Sequence, residues 1–143
     1  MKVIDFYGNE LWSNFKEVQV LENSSEQFYE FSLNEFDKKN SLLITEFKNE
    51  RSTFYFSKPK DLNLIKEEIQ KDIIKTKKGF SIILKSRVLQ KDVFLFTKHK
   101  GHFSDNFFDI LPNKPKVIEF ITELDSLEFL DDLEIKTLNS INN

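Results

Sequence analysis

The sequence predicts an all-β fold, a sandwich of short antiparallel strands, on three observations. Apolar and polar residues alternate with a period of two, turn-forming residues recur at short intervals, and aromatic residues are abundant. With 16 Phe against 3 Gly and 3 Pro in 143 residues, the chain has the makings of a packed core rather than a disordered tract.

Alternation predicts strands over residues 2–7, 15–21, 27–33, 41–48 and 53–57 in the first part of the chain. Gly8-Asn9-Glu10 separates the first two, because glycine and asparagine tolerate a positive φ. Asn23-Ser24-Ser25 and Asn49-Glu50-Arg51-Ser52 punctuate the later ones, and residues 34–40 form a longer connection with room for one helical turn. At Lys58-Pro59-Lys60-Asp61 proline interrupts any ladder and charge replaces the aromatic run Phe54-Tyr55-Phe56, which marks a domain linker. Beyond it, Ile65, Ile69 and Ile73 suit one helical face and equally one strand face, so periodicity leaves that segment open. Further strands follow at 79–85, 92–98, 116–121 and 134–138, with a short helical turn within 124–132. Phe80, Ile82, Leu84, Val93, Leu95, Phe120 and Ile135 are the expected core of the second part. In the first part, Ile4, Phe6, Val18, Val20, Phe28, Leu42 and Ile44 form the expected apolar face.

Charge and length limit the function classes. A net charge of -3, from 21 basic and 24 acidic residues, leaves no basic stripe for a phosphate backbone, so nucleic acid is not an expected partner. Without cysteine there is no disulfide and no thiolate zinc site. No apolar run approaches the roughly 20 residues of a spanning helix, so no membrane partner is expected, and localisation stays open. A chain of 143 residues is also too short for a catalytic barrel.

Three stretches carry a family resemblance. They are Lys91-Asp92-Val93-Phe94-Leu95-Phe96, then Gly101-His102-Phe103-Ser104-Asp105-Asn106-Phe107-Phe108-Asp109-Ile110-Leu111-Pro112, then Lys116-Val117-Ile118-Glu119-Phe120. Their order resembles the last immunoglobulin-like domain of β-mannosidases of glycoside hydrolase family two, with its "KDVFL" strand, "FSDNFFDLLP" loop and "KTVTF"-like strand. The family's closing "LKIRSL" corresponds to Leu133-Glu134-Ile135-Lys136-Thr137-Leu138. Upstream, Val3 to Trp12 and Thr53 to Leu62 resemble the second half of the preceding sandwich domain. The resemblance implies an immunoglobulin-like antiparallel β-sandwich at 59–143, with residues 1–58 as the second half of a mannosidase Ig/CBM-like sandwich. It also implies an extended segment after the "KPKDL" linker. The opening strands of the first domain and the catalytic barrel have no counterpart here, so no catalytic residue carries over.

Local motifs support no chemistry of their own. Asn9-Glu10 looks like the dipeptide that bears the acid/base glutamate in this enzyme group, but it falls in a hairpin turn and Glu10 has no second carboxylate beside it. Glu67 and Glu68 would point to opposite faces of a strand. His99 and His102 flank Gly101 without the carboxylate or thiolate that would complete a metal site, so neither metal nor cofactor is expected. Ser104 and Asp105 beside His102 read more simply as turn residues than as parts of a triad.

The expected function is therefore that of a structural accessory region of a β-mannosidase-type glycoside hydrolase, supporting the catalytic barrel and inactive alone. The loop His102, Phe103, Ser104, Asp105 and Asn106 is the candidate domain-contact site, since loops at the end of a sandwich are where such domains make contacts. Two other classes stand beside it. One is a carbohydrate-binding module using Trp12, Tyr55 or the loop phenylalanines, and the other is a free-standing interaction module of the same fold. Residues 1–58, lacking an opposing sheet, are expected to associate as a homodimer.

Overall fold

The protein is represented by a computed structural model that describes residues 1–19, 22, 27, 29, 30, 32, 34–124 and 126–141. The chain divides into two compact units, Met1–Asp5 with Asn9–Asn63, and Phe6–Gly8 with Leu64–Asn143.

The first unit holds one antiparallel sheet. Its strands are β1 (Lys2–Asp5), β2 (Glu10–Ser13), β3 (Ser41–Phe47) and β4 (Glu50–Tyr55), in the order β2-β1-β3-β4. The turn before β2 is held by Asp5, whose carboxylate accepts from Asn9 N at 2.9 Å and Asn9 Nδ2 at 2.8 Å. Gly8 lies at φ 89°, in the region open to glycine. Because this hairpin closes at once and sets Val3 opposite Trp12, the second strand lies at 10–13 and not at 15–21 as alternation suggested. Phe15–Gln19 carry no strand, nor do residues 27, 29, 30 and 32 of the predicted 27–33. Val20 and Phe28 lie outside the described residues. The 34–40 connection is a run of turns rather than a helical turn. There Asp37 accepts from Lys39 N and Asn40 Nδ2, and Ser41 Oγ donates to Asp37 O at 2.6 Å, which fixes the entry to β3.

Lys58-Pro59-Lys60-Asp61 contains a 3-10 turn at Pro59–Asp61 with proline in its first turn, where the missing N–H costs nothing.

The second unit is a seven-stranded sandwich. Strands β5 (Gln70–Thr76), β6 (Gly79–Lys85), β7 (Gln90–Phe96), β8 (His102–Phe103), β9 (Phe108–Ile110), β10 (Lys116–Ile121) and β11 (Glu134–Lys136) form two sheets, ordered β5-β6-β10-β8 and β11-β7-β9. Alternation works as the physics requires: Phe80, Ile82 and Leu84 of β6 face Val93 and Leu95 of β7 across one core, joined by Ile118 and Phe120 of β10. Each of these is at most 1% exposed. Ile135 packs against the cluster from its edge and is only partly buried. Phe129, from a 3-10 turn at Leu127–Asp132, fills the centre with its ring 4.7 Å from Phe80 and 5.0 Å from Phe120. Phe6, expected in the first unit's face, is instead grouped with the second, where Leu89 N donates to Phe6 O at 2.8 Å.

The open isoleucine segment resolves as extended, though its ladder starts only at Gln70. Before that, side chains replace the missing strand partner. Asn139 Nδ2 donates to Ile65 O at 2.8 Å, and Gln90 Nε2 donates to Glu67 O at 3.0 Å. Asn139 belongs to a single-turn helix, α1 (Leu138–Ile141), and is 1% exposed. It also donates to Leu89 O and accepts from Lys91 N, so all of its bonds go to main chain.

Candidate contact loop

The His102–Asn106 segment begins with β8 and runs on toward β9, and its residues are mostly absorbed in holding the two sheets' ends. His102 pairs with Ile121 and Phe103 with Phe120 where β8 joins β10. The Phe103 ring lies 4.8 Å from that of Phe120, tilted by 31°, so Phe103 closes the end of the core. Ser104 continues the pairing without being in the strand: its N donates to Glu119 O at 2.8 Å, and its Oγ accepts from Glu119 N at 2.9 Å.

Asp105 meets Lys116 at 2.7 Å. That hydrogen bond, ahead of the opposing effect of burial, holds the Asp105 carboxyl below its ordinary value of 3.8. Asn106 acts as a substitute peptide. Leu95 N donates to its Oδ1 at 2.8 Å and its Nδ2 donates to Leu95 O at 2.9 Å, so β7 has both main-chain groups satisfied just before β9 begins. The chain then turns through Phe107 at φ 58°, a left-handed conformation that costs a bulky residue about 1 kcal/mol. The Phe107 side chain is 69% exposed and lies 4.9 Å from Phe94.

Among the described residues no hydrogen bond joins His102 to Ser104 or Asp105, and the Ser104 hydroxyl oxygen is engaged by backbone. His99 faces Asp132 at 3.6 Å, whereas His102 opens β8 opposite Ile121, so the two histidines serve different neighbours. Among the described residues no group of three or more His, Cys, Asp or Glu is placed to hold a metal ion. Glu10 begins β2 and accepts from Ser13 Oγ at 2.5 Å. Near the candidate sugar platforms Trp12 and Tyr29 are tilted by 49° and Phe54 and Phe56 by 59°, whereas Phe36 and Phe56 stack at 20°.

One polar cluster has no strong sequence signal. At a bulge between Gln90 and Val93, Asp92 takes φ 50° and its N donates to Asp109 Oδ1 at 2.9 Å. Lys91 Nζ bridges Asp92 and Asp109. Burial alone would lower the lysine's pKa, but the two carboxylates outweigh it and the net direction is upward. Asp92 and Asp109 lie 17 residues apart, and only the strand pairing of β7 with β9 brings them together.

The architecture defines the class: an Ig-like sandwich preceded in the chain by a second β unit. Residues 64–141 match the family model Ig_mannosidase, an Ig-fold domain, and residues 1–61 match that of the mannosidase Ig/CBM-like domain. The chain belongs to the mannosidase Ig-fold family. No curated protein sequence matches it significantly. Among solved structures it is similar to a β-D-mannosidase from Dictyoglomus thermophilum, with a TM-score of 0.75 at 18% identity, covering 94% of this chain. It spans 17% of that chain's length.

Proposed function

We propose that this chain is a non-catalytic accessory region of a β-mannosidase-type glycoside hydrolase, whose role is to support and position the catalytic barrel. The observation that carries the reading is the pairing of the two family matches, the Ig/CBM-like domain followed by the Ig-fold domain, in one chain. The fate of the carboxylates supports it. Asp105, Asp109 and Asp132 each hold a lysine or a strand end, whereas a retaining glycosidase needs two carboxyl groups about 5 Å apart at an open sugar site.

Within this reading the His102–Asn106 loop contacts the rest of the enzyme, with exposed Phe107 beside it as the apolar anchor. Residues 1–58 act as the second half of a sandwich and residues 59–143 as the complete terminal one. In the first unit Phe15 is 91% exposed, with Phe47 and Phe54 also open to solvent, which favours self-association through residues 1–58 when nothing else covers them.

Three measurements test the proposal. The purified chain should neither hydrolyse an aryl β-mannoside nor retain soluble mannan on an affinity gel. Added in trans to the catalytic region of a β-mannosidase from the same source, it should raise that region's Tm by several degrees, since binding to the native state alone stabilises it. Turnover abolished by mutating one of the chain's own carboxylates would refute the non-catalytic reading. A Tm unmoved by a large excess of chain would refute the supporting role.

A further inference from the structure

Some lysines in the second unit hold carboxylates, and among those that do not, three gather at one groove. Lys85, Lys91, Lys98, Lys116 and Lys136 each have a carboxylate partner. Among the described residues, Lys77, Lys78 and Lys100 form no ion pair. These three are exposed and come from two turns, the β5–β6 turn and the loop after β7, that lie on either side of one groove of about 810 Å³.

The groove is built rather than accidental. Thr122 ties the two turns together, its N donating to Lys78 O at 3.1 Å and its Oγ1 to Lys100 O at 2.7 Å. Both turns also carry a glycine that no other residue could replace. At Gly79 a Cβ would stand 2.1 Å from Phe120 O, and at Gly101 one would stand 2.7 Å from Ile121 O. The lysine-bearing main chain is therefore pressed against the end of β10 and held there.

The groove has a small aliphatic floor. Ile121 and Leu124 line it, and beyond Ile121 the outer face of β10 carries Glu119, paired with Ser81, which bounds that floor. Ile121 is 38% exposed there, an aliphatic side chain left open to water. Glu123 is the carboxylate among the described lining residues, outnumbered by the lysines. No aromatic ring lines the groove among the described residues, so it offers no stacking platform for a sugar ring. Cationic rim and aliphatic floor together match a polypeptide that carries carboxylates around a branched side chain.

We propose that the groove between the Lys77-Lys78 turn and Lys100, with Ile121 and Leu124 at its floor, is a docking surface for an acidic polypeptide segment bearing an aliphatic anchor. Charge draws the segment in and seats its carboxylates on the lysines, while the aliphatic side chain covers Ile121. This surface is distinct from the Asn106 side of the candidate loop, and it stands whether or not the accessory reading holds.

The experiment is an amide chemical-shift titration of the labelled whole chain with three probes: an acidic peptide interspersed with isoleucine, poly-glutamate, and low-molecular-mass heparin. The isoleucine-bearing peptide should shift amides in residues 75–79, 100–102 and 121–124, and bind at least about tenfold more tightly than poly-glutamate. The double change Lys77→Glu and Lys78→Glu should weaken it about tenfold, as should Ile121→Ser, each with the dispersed spectrum of a folded chain. Equal binding of poly-glutamate would reduce the site to bare charge and overturn the proposal. Tighter binding of heparin would overturn it in favour of an anionic glycan, and a lack of localised shifts with the peptide would overturn it outright.

Discussion

The two units use the same strand chemistry to different ends. In the second, two sheets enclose one core, and eleven buried apolar residues gather in one cluster. In the first, a four-stranded sheet buries Val3, Ile4, Leu42 and Ile44, yet β4 runs exposed from Glu50 to Phe54. Pairing alone does not hold a sheet, because it is buried area that offsets the ordering of the chain.

The largest expected effect lies in the closed core. Leu95→Ala and Phe120→Ala should each cost about 3 to 5 kcal/mol in urea unfolding, since both residues leave cavities that seven-stranded packing cannot refill. If either change were neutral, the two units would not differ as described.

Next comes the amide clasp. Asn139→Ala strands Leu89 O, Ile65 O and Lys91 N without partners and should cost about 3 kcal/mol, measured by the same unfolding curves. Hydrogen exchange should quicken first in residues 65–69, which have no ladder of their own.

Trp12, the chain's single tryptophan, sharpens the contrast because it reports on the first unit alone. Its fluorescence should change at lower urea than far-UV ellipticity, and Ile44→Ala should move only that transition, by about 2 kcal/mol. Coincident transitions would mean that the units unfold as one. Sedimentation across a dilution series should likewise show association that is lost in a fragment beginning at Asp61; a whole chain that stays monomeric would mean the first unit needs no cover.

The smallest effect is electrostatic. The folded pKa of Asp105 lies below 3.8 because of Lys116, so the unfolded carboxyl takes up its proton first as pH falls. The stabilisation is present above 3.8 and fades as pH drops through the folded value. Both side chains are over a third exposed, so solvent screens the pair. Lys116→Met should remove that acid-side slope with little change at neutral pH, as read by thermal unfolding from pH 2 to 7.

Period-two alternation made β3, β6, β7 and β10 legible, along with the residues that fill the core, because a buried sheet face admits few side chains. It misplaced the second strand, since a tight Gly8-Asn9 turn can close a hairpin where the pattern is weak. The candidate loop was legible as a place, through its Ser-Asp-Asn turn chemistry. Its work was not: that Asn106 stands in for a peptide beside Leu95, or that Ser104 extends β8, depends on partners 11 and 15 residues away.

What the sequence determined by itself was the all-β class and the alternation of the second core, both properties set between near neighbours along the chain. Only the tertiary structure decided which lysines are paired, which carboxylates meet, and where Asn139 and Gln90 spend their amides. Those depend on distances between residues far apart in sequence, which a local period of two does not encode.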